Sequence, residues 1–274
     1  MLDAVARLVA VADGNTLLVT HGNGPQVGML AVESASDPVL DRPFPFDVLG
    51  AQTQGMIGYW LAQALANALP MRRVVALVTQ TIVDLEDPAF QKPTKFVGRG
   101  YEARPPAGAE WTMHQDGPLW RRVVASPEPL EIVEIETIKE LVSSGTIVVC
   151  CGGGGIPVSR DEKGILRGVE AVIDKDLATA VIARHTDADI MLLLTDVPAV
   201  LCDYGTEHER PIHSATVEEL RAMGFAAGSM GPKVEAACRF VEATGRRSAI
   251  GSFDDAADLL VGTAGTSVVP ATKL

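Results

Sequence analysis

Residues 146–183 contain the feature that most limits the fold. A β-branched run, Thr146 to Val149, is followed by four consecutive glycines, Gly152 to Gly155. The charged triplet Asp174-Lys175-Asp176 then leads into an apolar helix, Leu177 to Ala183. Four glycines in a row have no side chains to pack, so such a loop belongs where backbone must approach another group closely. A strand, a glycine loop and a lysine at a helix start together present amide N–H groups and positive charge to an anion. A solvated turn is the alternative for a lone glycine run, so the rest of the chain has to decide.

A second loop of the same kind lies earlier. The strand Thr16 to Thr20 runs into His21-Gly22-Asn23-Gly24-Pro25, and a helix over Gln26 to Glu33 follows. Ligands of open α/β sheets sit at the carboxyl ends of strands. The helical patterns are Leu2 to Ala12, closed by Gly14-Asn15; Ala51 to Leu69, with Met56, Ile57, Trp60, Leu61, Ala64 and Leu65 as its stripe; and Pro129 to Val142, with Ile132, Ile135, Ile138, Leu141 and Val142 inward. Trp60 and Tyr59 read as core or subunit-contact residues. Val74 to Val78 and Ile190 to Leu194 read as strands, the latter leaving Asp196 at its carboxyl end. A short helix spans Thr216 to Met223, and Ser229 is a candidate N-cap for the helix Val234 to Thr244. Ser248 to Ile250, Asp254 to Leu260 and Thr266 to Val269 complete a strand–helix alternation. The expected fold is α/β, three layers around a largely parallel sheet. Asp84 to Trp120 breaks the alternation. Pro88, Pro93, Pro105, Pro106 and Pro118 interrupt it, and residues 85–120 read as a small protruding lid inserted in a single domain over 1–274.

Composition removes whole classes of function. The 274 residues carry a net charge of −12, which leaves no basic stripe for a nucleic acid. No apolar run reaches the length of a membrane span, and no signal peptide is evident, so a cytoplasmic protein is expected. Cys150, Cys151, Cys202 and Cys238 show no metal spacing and read as thiols in a reducing compartment. In so acidic a chain, a phosphate site has to be a local island of lysines. Lys95, Lys175 and Lys233 are the candidates. Lys233, in the first turn of its helix, opposes the helix dipole and so points to an anion nearby. Walker and dinucleotide motifs and a nucleophile elbow are missing. Amide donors and cations without a nucleophile suit phosphoryl transfer, which needs in-line positioning and charge neutralisation.

The segments HGNGPQVG (21–28), QGMIGYWLAQAL (54–65), DPAFQKPTKFVG (87–98), WRRVVASPEPLEIVE (120–134), CGGGGIP (151–157), GVEAVIDKDLA (168–178) and FAAGSMGPKVEAA (225–237) resemble carbamate kinases of the amino acid kinase family. The resemblance implies reversible phosphoryl transfer between ATP and carbamate, giving ADP and carbamoyl phosphate, with Mg²⁺. It implies use toward ATP in arginine or other carbamoyl phosphate-yielding catabolism, and a homodimer. Gly22, Asn23 and Gly24 match the loop holding carbamate and the transferred phosphoryl, and Gly153 and Gly154 match the second glycine loop. Lys175 and Lys233 match the lysines that neutralise the phosphates, Asp176 the carboxylate that positions them, and Lys95 the lysine of the protruding subdomain. Asp196 and Tyr204, with Lys233, fall where the family has its nucleotide pocket. No protein metal ligand is assigned. Family members begin with a further strand and a first glycine loop; this sequence starts within the helix that follows them. A catalytically impaired nucleotide- or carbamoyl phosphate-binding protein is therefore the competing expectation.

Overall fold

A computed structural model describes residues 2–103, 111–225 and 230–271. The first elements are α1 (Leu2–Ala12), β1 (Leu18–Val19), α2 (Gly24–Ser36), α3 (Phe46–Ala68), β2 (Val74–Ala76) and β3 (Gln80–Ile82). Next come β4 (Lys95–Tyr101), β5 (Met113–Asp116), β6 (Leu119–Val124), β7 (Glu131–Ile132), α4 (Ile135–Ser143), β8 (Ile147–Val149), β9 (Ile156–Arg160) and β10 (Leu166–Gly168). The remainder is α5 (Lys175–His185), β11 (Met191–Thr195), β12 (Leu201–Cys202), β13 (Arg210–Pro211), β14 (Ser214–Thr216), α6 (Val217–Met223), α7 (Met230–Thr244), β15 (Ser248–Ser252), α8 (Ala256–Val261) and β16 (Thr266–Val269).

Strands β1, β8 and β2 pair in parallel, and β3 and β9 pair in parallel beyond them. The ladder continues across the gap, because Leu77 N–H donates to the Val149 carbonyl and Ile156 N–H to that of Thr79. Successive residues of β8 face opposite ways. Ile147 and Val149 pack under α1 and α3 with Val5, Leu8, Ile57, Leu61 and Leu65, whereas Val148 packs with Ile138 and Ile182 on the other side. Two helical layers on one sheet follow directly. A second sheet, in the order β11-β15-β16-β14, carries its own core of Leu193, Leu220, Phe240, Ile250 and Val268. Phe240, Leu220 and Ile250 are 0% exposed, and each such side chain contributes about 1.5–3 kcal/mol by burial. The architecture is the expected α/β/α, with antiparallel pairing at β15–β16 and at the edges. No helix among the described residues is long and apolar enough to cross a membrane.

Several boundaries moved. Helix α2 starts at Gly24, because Pro25 sits in the first turn where its missing N–H costs nothing. Helix α3 starts at Phe46, five residues early, with Glu170 Oε2 accepting the Phe46 N–H at 2.8 Å. Trp60 is 39% and Tyr59 56% exposed, so neither belongs to the core. Ile132 lies in strand β7 against Thr81, not in a helix. The strand from Val74 stops at Ala76, and Val78 is 51% exposed. Ser229, expected as the N-cap of α7, lies outside the described residues, as do Pro105, Pro106, Gly228 and the Leu2 side chain.

The stretch after Asp84 forms an antiparallel sheet in the order β4-β6-β5. Val97 and Val124 bury against Val27, Ala31, Phe46 and Leu49, which fastens it along α2 and α3. At the tightest point α2 and β4 meet backbone to backbone. A Cβ on Gly28 would fall 2.0 Å from the Gly98 Cα, so no side chain fits there.

Candidate active site

The two glycine loops lie against each other because β1 and β8 are parallel neighbours with matched ends. Gly153 N–H donates to the His21 carbonyl at 2.8 Å. The Asn23 amide covers Gly153 so closely that a Cβ there would lie 2.2 Å from Asn23 Nδ2, and Gly153 also has φ 64°. Only glycine meets both demands. Cys151, just before the loop, is itself left-handed at φ 50°. The second loop leads into strand β9, and the helix follows only at Lys175. Strand β9 continues the sheet and the hairpin β9–β10 intervenes before α5.

The His21 imidazole packs on Gly152. Burial pushes its pKa down, the Gly22 carbonyl pushes it up, and the Lys175 charge lowers it further. Its Nδ1 lies 3.1 Å from the Gly22 carbonyl, which can only accept, so Nδ1 is the protonated nitrogen.

Five charged residues gather at the start of α5. The Asp174 carboxylate caps the helix, accepting from Asp176 N–H at 2.9 Å and Leu177 N–H at 3.3 Å. Its other oxygen takes Lys95 Nζ at 2.6 Å, which brings β4 to the site. Burial alone would raise the Asp174 pKa, but the Lys95 charge and the amide donors outweigh it and hold the carboxyl below its usual value. Asp176, only 4% exposed, is shared: Lys175 Nζ is 2.7 Å from Oδ1 and Lys233 Nζ is 3.0 Å from Oδ2. Both lysines stand in the first turns of helices, α5 and α7, where a cation opposes the dipole. The aliphatic part of Lys175 lies against Gly22, about where a Cβ on that residue would touch its Cδ at 3.4 Å. Lys95, Lys175, Asp176 and Lys233 are thus brought together with Gly22, Asn23, Gly153 and Gly154.

A buried polar relay behind the loops was not evident from sequence. Asn23 Nδ2 donates to Thr53 Oγ1 at 2.9 Å, and Thr53 in turn donates to the Gly50 carbonyl. Gln54 grips Thr79 through three hydrogen bonds of 3.0–3.1 Å, and Thr79 Oγ1 accepts the Cys151 N–H at 2.8 Å. One turn of α3 thereby holds both loops. The signal was present: Thr53 and Gln54 share the inward face of α3 with Ile57, Leu61 and Leu65, and polar residues on an apolar stripe need buried partners.

The remaining candidates stand apart. Asp196 is exposed at the end of β11, accepting from the Thr195 hydroxyl at 3.1 Å. Tyr204 is 80% exposed in the turn between β12 and β13.

An amino acid kinase family model matches residues 1–252. A carbamate kinase of Haemophilus influenzae is 46% identical over 276 residues, 98% of this chain and 88% of that protein. A Giardia lamblia carbamate kinase bound to citric acid superposes with a TM-score of 0.91 at 39% identity, covering 97% of this chain and 89% of that one. The form bound to AMP-PNP gives 0.88 at 40%, with the same coverage. On its fold, its site and these likenesses, the chain belongs to the amino acid kinase family and, within it, to the carbamate kinases.

Proposed function

We propose that the chain is a carbamate kinase, transferring a phosphoryl group reversibly between ATP and carbamate with ADP and carbamoyl phosphate as the other pair. The observation that carries this is Asp176, one buried carboxylate shared by two lysines from separate helices beside two glycine loops. Lys175 and Lys233 neutralise the phosphates. Asp176 sets their spacing, and Lys95, delivered by the 85–120 lid, completes the charge around the transferred group. The amides of Gly22 to Gly24 and of Gly153 and Gly154 orient carbamate and phosphoryl oxygens, with Asn23 fixed by Thr53. Nothing here abstracts a proton, and carbamate needs no base to attack phosphorus. Lysines on mobile stems suit a group whose charge moves between donor and acceptor.

The donor set also suits an ion carried on the nucleotide. No group of three or more His, Cys, Asp or Glu among the described residues is arranged to hold a metal ion, and the site's two aspartates are each bound to lysine. Mg²⁺ held mainly by phosphate oxygens fits that arrangement and would neutralise part of their charge. Asp196 and Tyr204 are placed in this reading at the nucleotide's base end. A homodimer through the exposed Tyr59–Trp60 face of α3, a cytoplasmic location and net use toward ATP belong to the same proposal. The alternative of an impaired binding protein finds no support: the relatives are kinases by name, and all four charged site residues are in place.

The test is ATP formation from ADP, Mg²⁺ and carbamoyl phosphate, beside Lys175→Ala and Lys233→Ala. Lysine-dependent turnover supports the proposal. Turnover with acetylglutamate but not carbamate as phosphoryl acceptor overturns it.

A further inference from the structure

Carbamate differs from acetate by one group: its amino end donates hydrogen bonds where acetate carries a methyl. A site that tells the two apart needs an open acceptor. The charged residues do not offer one. Lys95, Lys175 and Lys233 only donate. The Asp174 carboxylate is engaged by Lys95 and two amides, and that of Asp176 by Lys175 and Lys233.

Asn23 has an acceptor to give, and a buried hydroxyl decides which way it points. Thr53 is 0% exposed, and its single hydroxyl proton goes to the Gly50 carbonyl at 2.9 Å. A carbonyl only accepts, so the Thr53 oxygen has lone pairs alone left for Asn23. The Asn23 amide therefore turns its NH₂ to Thr53, with Nδ2 at 2.9 Å. The reversed amide would set two acceptors against each other where no water reaches, and that arrangement is costly. Asn23 Oδ1 is left free. It has no partner among the described residues, and it is not buried, since the buried side-chain atoms without a partner are Asp47 Oδ1 and Arg121 Nε. The carboxamide lies flat on Gly153, where a Cβ would be 2.4 Å from Oδ1, so the open acceptor sits where the two glycine loops meet. His21 Nε2, the other neutral acceptor at the loops, lies on Gly152 beside the buried Gln54.

We propose that Thr53 is a positioning residue for substrate selection: it fixes the Asn23 amide so that Oδ1 accepts a hydrogen bond from the amino group of carbamate or carbamoyl phosphate. The inference rests on the carbamate kinase reading and deepens it. Acetyl phosphate has almost the same shape, but it would press a methyl group onto Oδ1. That acceptor would then have neither water nor a partner, a heavier loss than a contact merely not made.

The test is ATP formation from ADP and Mg²⁺ by the full chain, with carbamoyl phosphate and with acetyl phosphate as donors, read as the ratio of the two kcat/KM values. Thr53→Val keeps the bulk of the side chain and removes the hydroxyl, Thr53→Ser keeps the hydroxyl, and Asn23→Ala removes the acceptor. The native ratio should favour carbamoyl phosphate, fall about tenfold in Thr53→Val and in Asn23→Ala, and recover in Thr53→Ser. A merely structural role for Thr53 would lower both activities together and leave the ratio where it was. Asn23 is half-buried in a loop, so Asn23→Ala still reads the ratio if Thr53→Val does not fold. An unchanged ratio in Asn23→Ala or in folded Thr53→Val, a native ratio near one, or a fall confined to His21→Phe overturns the proposal and leaves the kinase reading standing. No turnover of carbamoyl phosphate by the native chain overturns both.

Discussion

Asp176→Asn separates two effects that usually fall together. The side chain keeps its shape but loses its charge, leaving Lys175 and Lys233 within one carboxamide's width of each other and without a counter-ion. The Lys233 side chain is only 16% exposed, so water relieves it little. Removing one partner from a buried pair costs about 3–5 kcal/mol, and the urea midpoint should fall accordingly. Turnover should drop about 10²–10³-fold, since the lysines lose the group that spaces them for the transition state. Phosphate binding should move the other way, because the lysines no longer share their charge with an internal carboxylate. Added ADP should therefore raise the melting temperature of the variant more than that of the native chain. At a hundredfold excess over Kd a ligand contributes about 2.7 kcal/mol, enough to restore much of the loss. The assays are luciferase-coupled ATP formation and thermal melts across an ADP titration. Equal ADP shifts in the two proteins would refute the idea that Lys175 and Lys233 form the phosphate cradle, whatever happened to the rate.

Gly28→Ala drives a methyl group into the Gly98 backbone, an overpacking that costs about 1–3 kcal/mol and draws β4, with Lys95, away from Asp174. Its rate defect should nearly vanish in a Lys95→Ala background, and additive defects in that double-mutant cycle would rule out positioning through Lys95. Asp174 has a folded pKa below the ordinary 3.8, so its contribution to stability is full above that pH and disappears as pH falls through the lower folded value. Urea midpoints from pH 5 to 2 should show that slope, and Asp174→Asn should flatten it. Burial raises the Cys238 thiol to about 11, and a hydrogen bond with Cys151 together with burial raises that of Cys150, while Cys202 is half-exposed with its Sγ donating to the Arg210 carbonyl. A thiol-disulfide reagent at pH 8 should therefore label Cys202 in the native protein and the other three only after denaturation.

Much of this site was legible before any coordinates. Gly152 to Gly155, with Gly22 and Gly24, have no side chains to pack, and three lysines at element starts in an acidic chain ask for an anion. What the chain alone could not tell was which polar residues are buried. Thr53 and Gln54 lie on the apolar stripe of α3, but only the assembled fold supplies their partners, Asn23 for Thr53 and Thr79 for Gln54. Ile132 follows helical spacing locally but is claimed by the open edge of β3, whose hydrogen bonds a helix could not satisfy. Trp60 continued an apolar stripe wider than the surface available to cover it. Tyr204 stands exposed on the turn between β12 and β13, where no periodic pattern applies, so spacing carried no information about its distance from the lysines. The aromatic stacking of Arg122 joins strand β6, helix α3 and Trp111, and no local pattern announces it.

The sharing of Asp176 has a consequence for how the chain acquires activity. Lys233 lies 57 residues from it in sequence, and Lys95 lies 79 from Asp174. Contacts this distant form late, after loop-closure entropy has been overcome. A partly folded chain with β8, its glycine loop and the start of α5 in place would present Asp174 and Asp176 with only Lys175 to offset them, a net negative charge where the folded site is net positive, and would repel its own nucleotide. Regain of phosphate affinity during refolding is therefore a clock for the docking of α7 onto α5, and it should lag the recovery of helical signal.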